Sequence, residues 1–261
     1  MIISGVANFF DTLGIGSFAT TTAALRKWNL VRDERLPGTL NVGYVLPTIL
    51  QAFIFTQTVD VDPKTLILMI IAAVMGAWLG AGVFSRWPRV KIQTGMGLAL
   101  FVAAALMTYK AIQGDPAGGT TIALSGGRLA IGLAGNFVLG ILMTIGIGLY
   151  GPCMILVSLL GMDPKAAFPI MMGSCAFLMP IASGRFVKER AVDMKAAAAL
   201  AFVGLPFVWI AAKWLSNFPI TWVRWLVVVV VLYAGTTLLL AASRERSKAG
   251  ASGNPEPVAG T

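Results

Sequence analysis

The sequence predicts an all-α integral membrane protein, an inverted-topology repeat of two halves, each a re-entrant broken-helix hairpin plus three transmembrane helices. Three observations carry that prediction. The 261 residues are 57% hydrophobic and 12% charged, with a mean hydropathy of +0.82, far from the balance of an ordinary water-soluble domain. The chain also matches itself at a nearly constant offset. Its positive charges, finally, sort to one side of a membrane only if the first element of each half turns back on itself.

The self-match pairs Thr12 with Thr144, Gly14 with Gly146, Ile15 with Ile147, Gly16 with Gly148 and Pro37 with Pro169, all 132 residues apart. At an offset of 131 it pairs Asp62 with Asp193, Lys64 with Lys195, Trp78 with Trp209, Ser85 with Ser216 and Pro88 with Pro219. Glycine and isoleucine coincide cheaply in a membrane chain, but the two tryptophans and the Ser-x-aromatic-Pro strings "SRWP" and "SNFP" do not. If all eight apolar elements crossed the bilayer, the 20 Lys and Arg would divide evenly between the two sides. If the first element of each half enters and leaves on one face, 14 of the 20 lie inside and 6 outside. Three crossings per half is an odd number, so the halves have opposite orientation.

The elements follow in order. Residues 1–114 form the first membrane repeat, opening with "TLGIGSFATTTAAL", in which Gly-Ile-Gly interrupts an apolar run and a second half-helix starts near Ser17. Apolar stretches at 38–57, 65–85 and 90–112 then suit a hydrocarbon core of about 30 Å. Residues 115–127 are a linker. The second repeat, 128–243, opens with a run from Leu129 to Leu160, too long for one upright span and suited to two half-helices meeting at Gly-Ile-Gly, the outgoing one starting near Tyr150 or Gly151. Spans at 166–184, 196–215 and 220–243 complete it. Residues 244–261 are polar and rich in Gly and Pro, and are expected to be a disordered cytoplasmic tail.

A backbone that leaves the helix inside hydrocarbon exposes unpaired N–H and C=O groups, so each break must be enclosed by protein or a water-filled cavity. The outgoing half-helices present free N–H donors and a partial positive charge, which favours an anion. The candidate anion-binding residues are Gly14, Gly16, Ser17, Thr20 and Thr21 in the first half and Gly148, Tyr150, Gly151 and Cys153 in the second. Asn41, Ser174 and Cys175 join them from the spans that follow, where Pro47 and Pro180 introduce kinks. Each of these small or polar residues also has a plain packing role open to it. Asp11, the acid inside a predicted membrane element, is the candidate for coupling or gating, with a turn-capping role as its alternative.

Composition removes several chemistries. No histidine occurs, which excludes His-based metal sites, triads and imidazole relays. No Walker motif is present, and no cofactor is expected. The two cysteines lie in apolar segments and staple no secreted fold. The net charge of +9 reflects clusters at membrane boundaries rather than nucleic-acid binding. The opening "MIISGVANFFD" lacks a basic n-region and a small-residue cleavage site and does not read as a removable signal peptide.

On "GIGSFATTTAAL", "GIGLYGPCMILVSLLG" and "DPKAAFPIMMGS", the chain resembles the TauE/SafE sulfite exporter family, also called the toluene sulfonate uptake family. The resemblance spans about residues 4–242. Many relatives have a third glycine where this chain has Ser17 and Leu149, and the first half lacks the later proline. The resemblance implies transport of sulfite, thiosulfate or an organosulfonate across the cytoplasmic (inner) membrane of a prokaryote. The expected protein is a multi-pass secondary transporter, a probable exporter in the sense that an inside-negative potential drives anions outward, and not an enzyme. Its termini are cytoplasmic. Its partners are the small anion and the lipid bilayer, with proton coupling and a homodimer as further options and no nucleic acid. An anion channel, a Cys-dependent membrane enzyme and a structural subunit are the alternatives.

Overall fold

The computed structural model describes residues 2–83, 89–112, 119–144, 149–217 and 219–252, which are helical apart from short connections. The first half consists of α1 (Ile2–Thr12), α2 (Phe18–Lys27), α3 (Leu36–Thr58), α4 (Pro63–Val83) and α5 (Arg89–Ile112). The second repeats the order as α6 (Gly126–Thr144), α7 (Tyr150–Leu159), α8 (Ala167–Lys188), α9 (Met194–Ser216) and α10 (Ile220–Ser252). Among the described residues, five helices are long and apolar enough to cross a membrane, α3, α6, α8, α9 and α10. The apolar stretches Pro63–Leu79 and Gln93–Leu106 of α4 and α5 are shorter. Large apolar side chains such as Phe53, Trp78, Ile131, Ile181 and Trp222 stand on the outer surface. A water-exposed monomer rarely carries so much apolar surface, whereas lipid favours it.

The first break forms where the sequence places glycines. Gly14 and Gly16 hold φ angles of +89° and +84°, a region costly for residues with a Cβ. The turn pairs much of its own backbone: the Gly14 N–H donates to the Asp11 carbonyl at 2.8 Å, and the N–H groups of Leu13 and Ile15 both donate to the Phe10 carbonyl at 3.2 Å. After α2 the chain packs Leu25, Val31, Leu36 and Leu40 with Ala7 in one buried cluster, which brings the end of α2 and the start of α3 alongside α1. In the second half α7 runs back along α6, with Leu156 against Gly135 and Leu160 against Gly132.

Positions 131–132 residues apart make related contacts in the packing. α1 lies on α9 and α6 lies on α4, while α3 packs against both α8 and α9 and α5 against α10. Ser4 and Asn136 stand one repeat apart, as do Leu200 and Met69. The Ser4 hydroxyl donates to the Leu200 carbonyl at 2.8 Å, and the Asn136 amide donates to the Met69 carbonyl at 2.7 Å. Related contacts lie further along each pair of helices. Gly5 receives the Phe207 ring in one interface, and Gly76 receives the Phe137 main chain in the other. Gly204 meets the Asn8 amide, and Gly140 meets the Ala73 main chain. The helices on which α6 and α1 lie, α4 and α9, are also capped alike: Asp62 accepts from the Thr65 N–H and hydroxyl, both at 2.8 Å, and Asp193 accepts from the Ala196 N–H at 3.0 Å.

Two expectations need adjusting. The segments around the second break are unequal, 19 residues in α6 against 10 in α7, chiefly because α7 starts only at Tyr150, past the middle of the run from Leu129 to Leu160. The expected disorder from residue 244 does not hold for 244–252, which continue α10 as helix. Arg244, Glu245, Arg246, Lys248 and Ala249 are good helix formers, and Arg246 donates to the Thr94 hydroxyl on α5 at 3.3 Å. Residues 253–261 lie outside the described residues, as do 113–118 with the start of the expected linker, 84–88 with all of "SRWP", and Phe218 of "SNFP".

Candidate functional site

The turn between α1 and α2 meets the start of α7. Asp11 closes α1 and is buried to 3% exposure. Its Oδ2 accepts from the Gln51 amide of α3 at 3.1 Å, and the same nitrogen donates to the Thr12 hydroxyl at 2.9 Å. The Thr12 hydroxyl in turn donates to the Asn8 carbonyl at 2.7 Å. That geometry fixes the Gln51 amide orientation, since both groups it addresses act as acceptors, and it leaves the buried Gln51 Oε1 without a partner. Ser17, through its hydroxyl and main-chain N–H, and the Tyr150 hydroxyl of the second half also face the Asp11 carboxyl as donors. Tyr150 lies beside Thr48 of α3 and Cys175 of α8. The groups that surround this acid are therefore neutral, and no Lys or Arg is among them.

Further contacts hold the first turn against α7, α8 and α3. Gly14 lies against the Met154 methyl of α7, where a Cβ would collide, with the Met171 methyl at 3.3 Å from that position. Thr21 and Tyr44 share a hydrogen bond of 2.6 Å, and the Tyr44 ring packs on Phe18 at 5.6 Å between centroids. The half-helices α2 and α7 start at Phe18 and Tyr150, and neither receives a side-chain cap: the Ser17 hydroxyl makes no capping bond, and Leu149 has nothing to offer. Their first-turn N–H donors are left for another acceptor, apart from Pro152, which has none.

The expected site residues fall into three groups. Asp11, Ser17, Tyr150 and Cys175 converge, with Gly14 and Gly16 shaping the turn and Thr21 one helical turn away. Cys153 is fully buried at the edge of this group, and Cys175 donates to the Met143 sulfur at 3.9 Å; both are free thiols. The remaining residues point elsewhere. Thr20 is exposed and donates to the Ser17 carbonyl at 2.9 Å. Asn41 donates to the Pro37 carbonyl of its own helix at 2.9 Å. Ser174 donates to the Ile170 carbonyl at 2.7 Å and meets Asn136 between α8 and α6 at 3.4 Å. Gly151 gives room to Ala234 of α10. Gly148, with the rest of 145–148, lies outside the described residues.

Tyr44, Thr48 and Gln51 are the residues that sequence reasoning passed over. They recur at spacings of four and three along α3, one face of a helix, and "GYVLPTILQ" carried that polar stripe in plain view. Among the described residues, no three Cys, Asp or Glu are grouped to hold a metal ion. No family model, curated protein or solved structure matches the chain.

Proposed function

We propose that the chain is a secondary transporter of a small sulfur-containing anion, such as sulfite, thiosulfate or an organosulfonate, in the inner membrane of a prokaryote. In this reading the halves are inverted repeats, each hairpin enters and leaves the bilayer on one face, and the anion is held where the breaks meet. The observation that carries it is the convergence of Ser17 and Asp11 from one break with Tyr150 from the other. Irregular backbone at membrane depth is tolerated only where it is buried or lines a cavity, and paired breaks at a repeat interface suit a substrate site.

Three features support the chemistry. Two uncapped helix N-termini converge with hydroxyl and amide donors that can turn toward oxyanion oxygens. The repeat-related contacts of α1 with α9 and α6 with α4 suit a rocking exchange between two access states. The sulfur-anion substrate class comes from the TauE/SafE resemblance of the Gly-Ile-Gly segments. An inside-negative potential favours export for an uncoupled anion, and Asp11 is the residue through which coupling or gating would act.

Counterflow in proteoliposomes, with a panel of sulfite, thiosulfate, alkanesulfonates and unrelated anions, tests this function. Saturable exchange of the sulfur anions, lowered several-fold in Ser17→Ala, is expected. Wild-type vesicles that exchange none of the panel would rule out the assignment.

A further inference from the structure

The Asp11 carboxylate has the position and the partners that the anion reading assigns to a substrate. It faces the N–H and hydroxyl of Ser17 at the uncapped start of α2, accepts from the Gln51 amide at 3.1 Å, and faces the Tyr150 hydroxyl from the other half. We propose that in this conformation Asp11 is a tethered anion that fills the site, and that a substrate anion enters only when a proton has neutralised it, so that the two cross together. The inference rests on the transporter reading and names the co-substrate of that same site.

The argument begins with charge. Two anions sharing one buried site repel strongly, and one of them must be neutralised or leave. The titratable or polar groups facing Asp11 from each packed element are Ser17 of the first break, Gln51 and Tyr44 of α3, Tyr150 of α7 and Cys175 of α8. None is a cation able to hold both charges. The donors around the site are also limited: the Ser17, Gln51 and Tyr150 groups that satisfy the carboxylate are the ones a sulfonate or thiosulfate oxygen would need.

A second observation points to the same partner. The buried Gln51 Oε1 has no donor while the amide nitrogen serves Asp11 and Thr12. When a proton binds a carboxylate oxygen, the resulting O–H is a new donor within reach of a turned Gln51 amide. The orphaned acceptor is then satisfied, and the Ser17 and Tyr150 donors are released to the incoming anion. Only one proton is gained, no covalent bond breaks, and the proton leaves with the anion on the other side. Gln51 thus reads the charge state of Asp11 and frees its amide N–H for the anion once that charge is gone.

The test uses the purified full-length protein with methanesulfonate and thiosulfate, whose charge is constant from about pH 5 to about pH 8. Through the range in which Asp11 is ionised, wild-type affinity is expected to fall about tenfold per pH unit. Asp11→Asn, neutral at every pH, is expected to bind with a flat profile. In lightly buffered solution the wild type should take up about one proton for each anion bound, a measurement that stands even if the variant fails to fold. Binding without proton uptake, or an Asp11→Asn profile as steep as the wild type's, overturns the inference and leaves the transporter reading intact. Absence of any sulfur-anion binding by either protein across the range overturns both.

Discussion

At the scale of single residues, the site depends on which donors can serve an oxygen atom buried between two helix breaks. Removing the Tyr150 hydroxyl (Tyr150→Phe) or the Gln51 amide (Gln51→Leu) deletes one donor each, worth about 1 kcal/mol net. Under the proposed function each variant is expected to weaken sulfonate counterflow by about fivefold, read as a rise in the half-saturating concentration. Asn41→Ala, whose amide only returns to Pro37 of its own helix, is expected to leave that concentration unchanged. This contrast also marks what the sequence could reveal at residue scale. Ser17 and Tyr150 were legible because a glycine break dictates where the next helix must start. Asn41 drew attention as an amide in an apolar run, yet side chains of this type can satisfy themselves on the preceding turn, and no pattern in a single sequence tells that choice from an inward one. Tyr44, Thr48 and Gln51 were legible as a stripe and needed only the question of which helix face they share.

At the scale of elements, breaks and caps decide where helices begin. Gly14 combines a positive φ with the Met154 methyl against its open face; that methyl ends a flexible side chain and can give way, so Gly14→Ala is expected to lower stability by about 1–2 kcal/mol from backbone strain, seen as a lower thermal unfolding midpoint in detergent. Asp62, in the connection before α4, provides a test by pH. The Thr65 N–H and hydroxyl hold its carboxyl below its ordinary value of 3.8. A depressed folded-state value means that the cap's contribution is complete above the unfolded value and is lost as pH falls through the folded one. Wild type is therefore expected to unfold at a higher temperature than Asp62→Ala at neutral pH, with the gap closing as pH drops below the ordinary carboxylate range. The element boundaries at Phe18 and Tyr150 were readable from glycine chemistry. The far end of α10 was not, because its composition resembles a tail while its run of Arg, Glu, Lys and Ala favours continued helix.

At the scale of the whole molecule, the matched tryptophans and charges suggested a repeat but not which helices pack together, since offsets in sequence say nothing of what packs on what. The structure packs α1 on α9 and α6 on α4. Opposite membrane orientation of the halves is tested by thiol labelling: Lys27→Cys and Lys165→Cys, in an otherwise cysteine-free chain, are expected to react with impermeant reagents from opposite faces. Labelling of both from the same face would remove the inverted architecture and the shared site with it.

The two cross-half interfaces occupy equivalent positions without being equivalent in kind. On α4 and α6, Gly76 and Gly140 each bring main chain against main chain, whereas on α1 and α9 Gly5 and Gly204 meet side chains, the Phe207 ring and the Asn8 amide. Gly76→Ala and Gly140→Ala are thus expected to destabilise by about 1–3 kcal/mol, and Gly5→Ala by less, in detergent unfolding. In the proposed cycle, that inequality makes the second hairpin the anchored jaw and the first the one that yields, so the acid it carries moves with whichever gate opens.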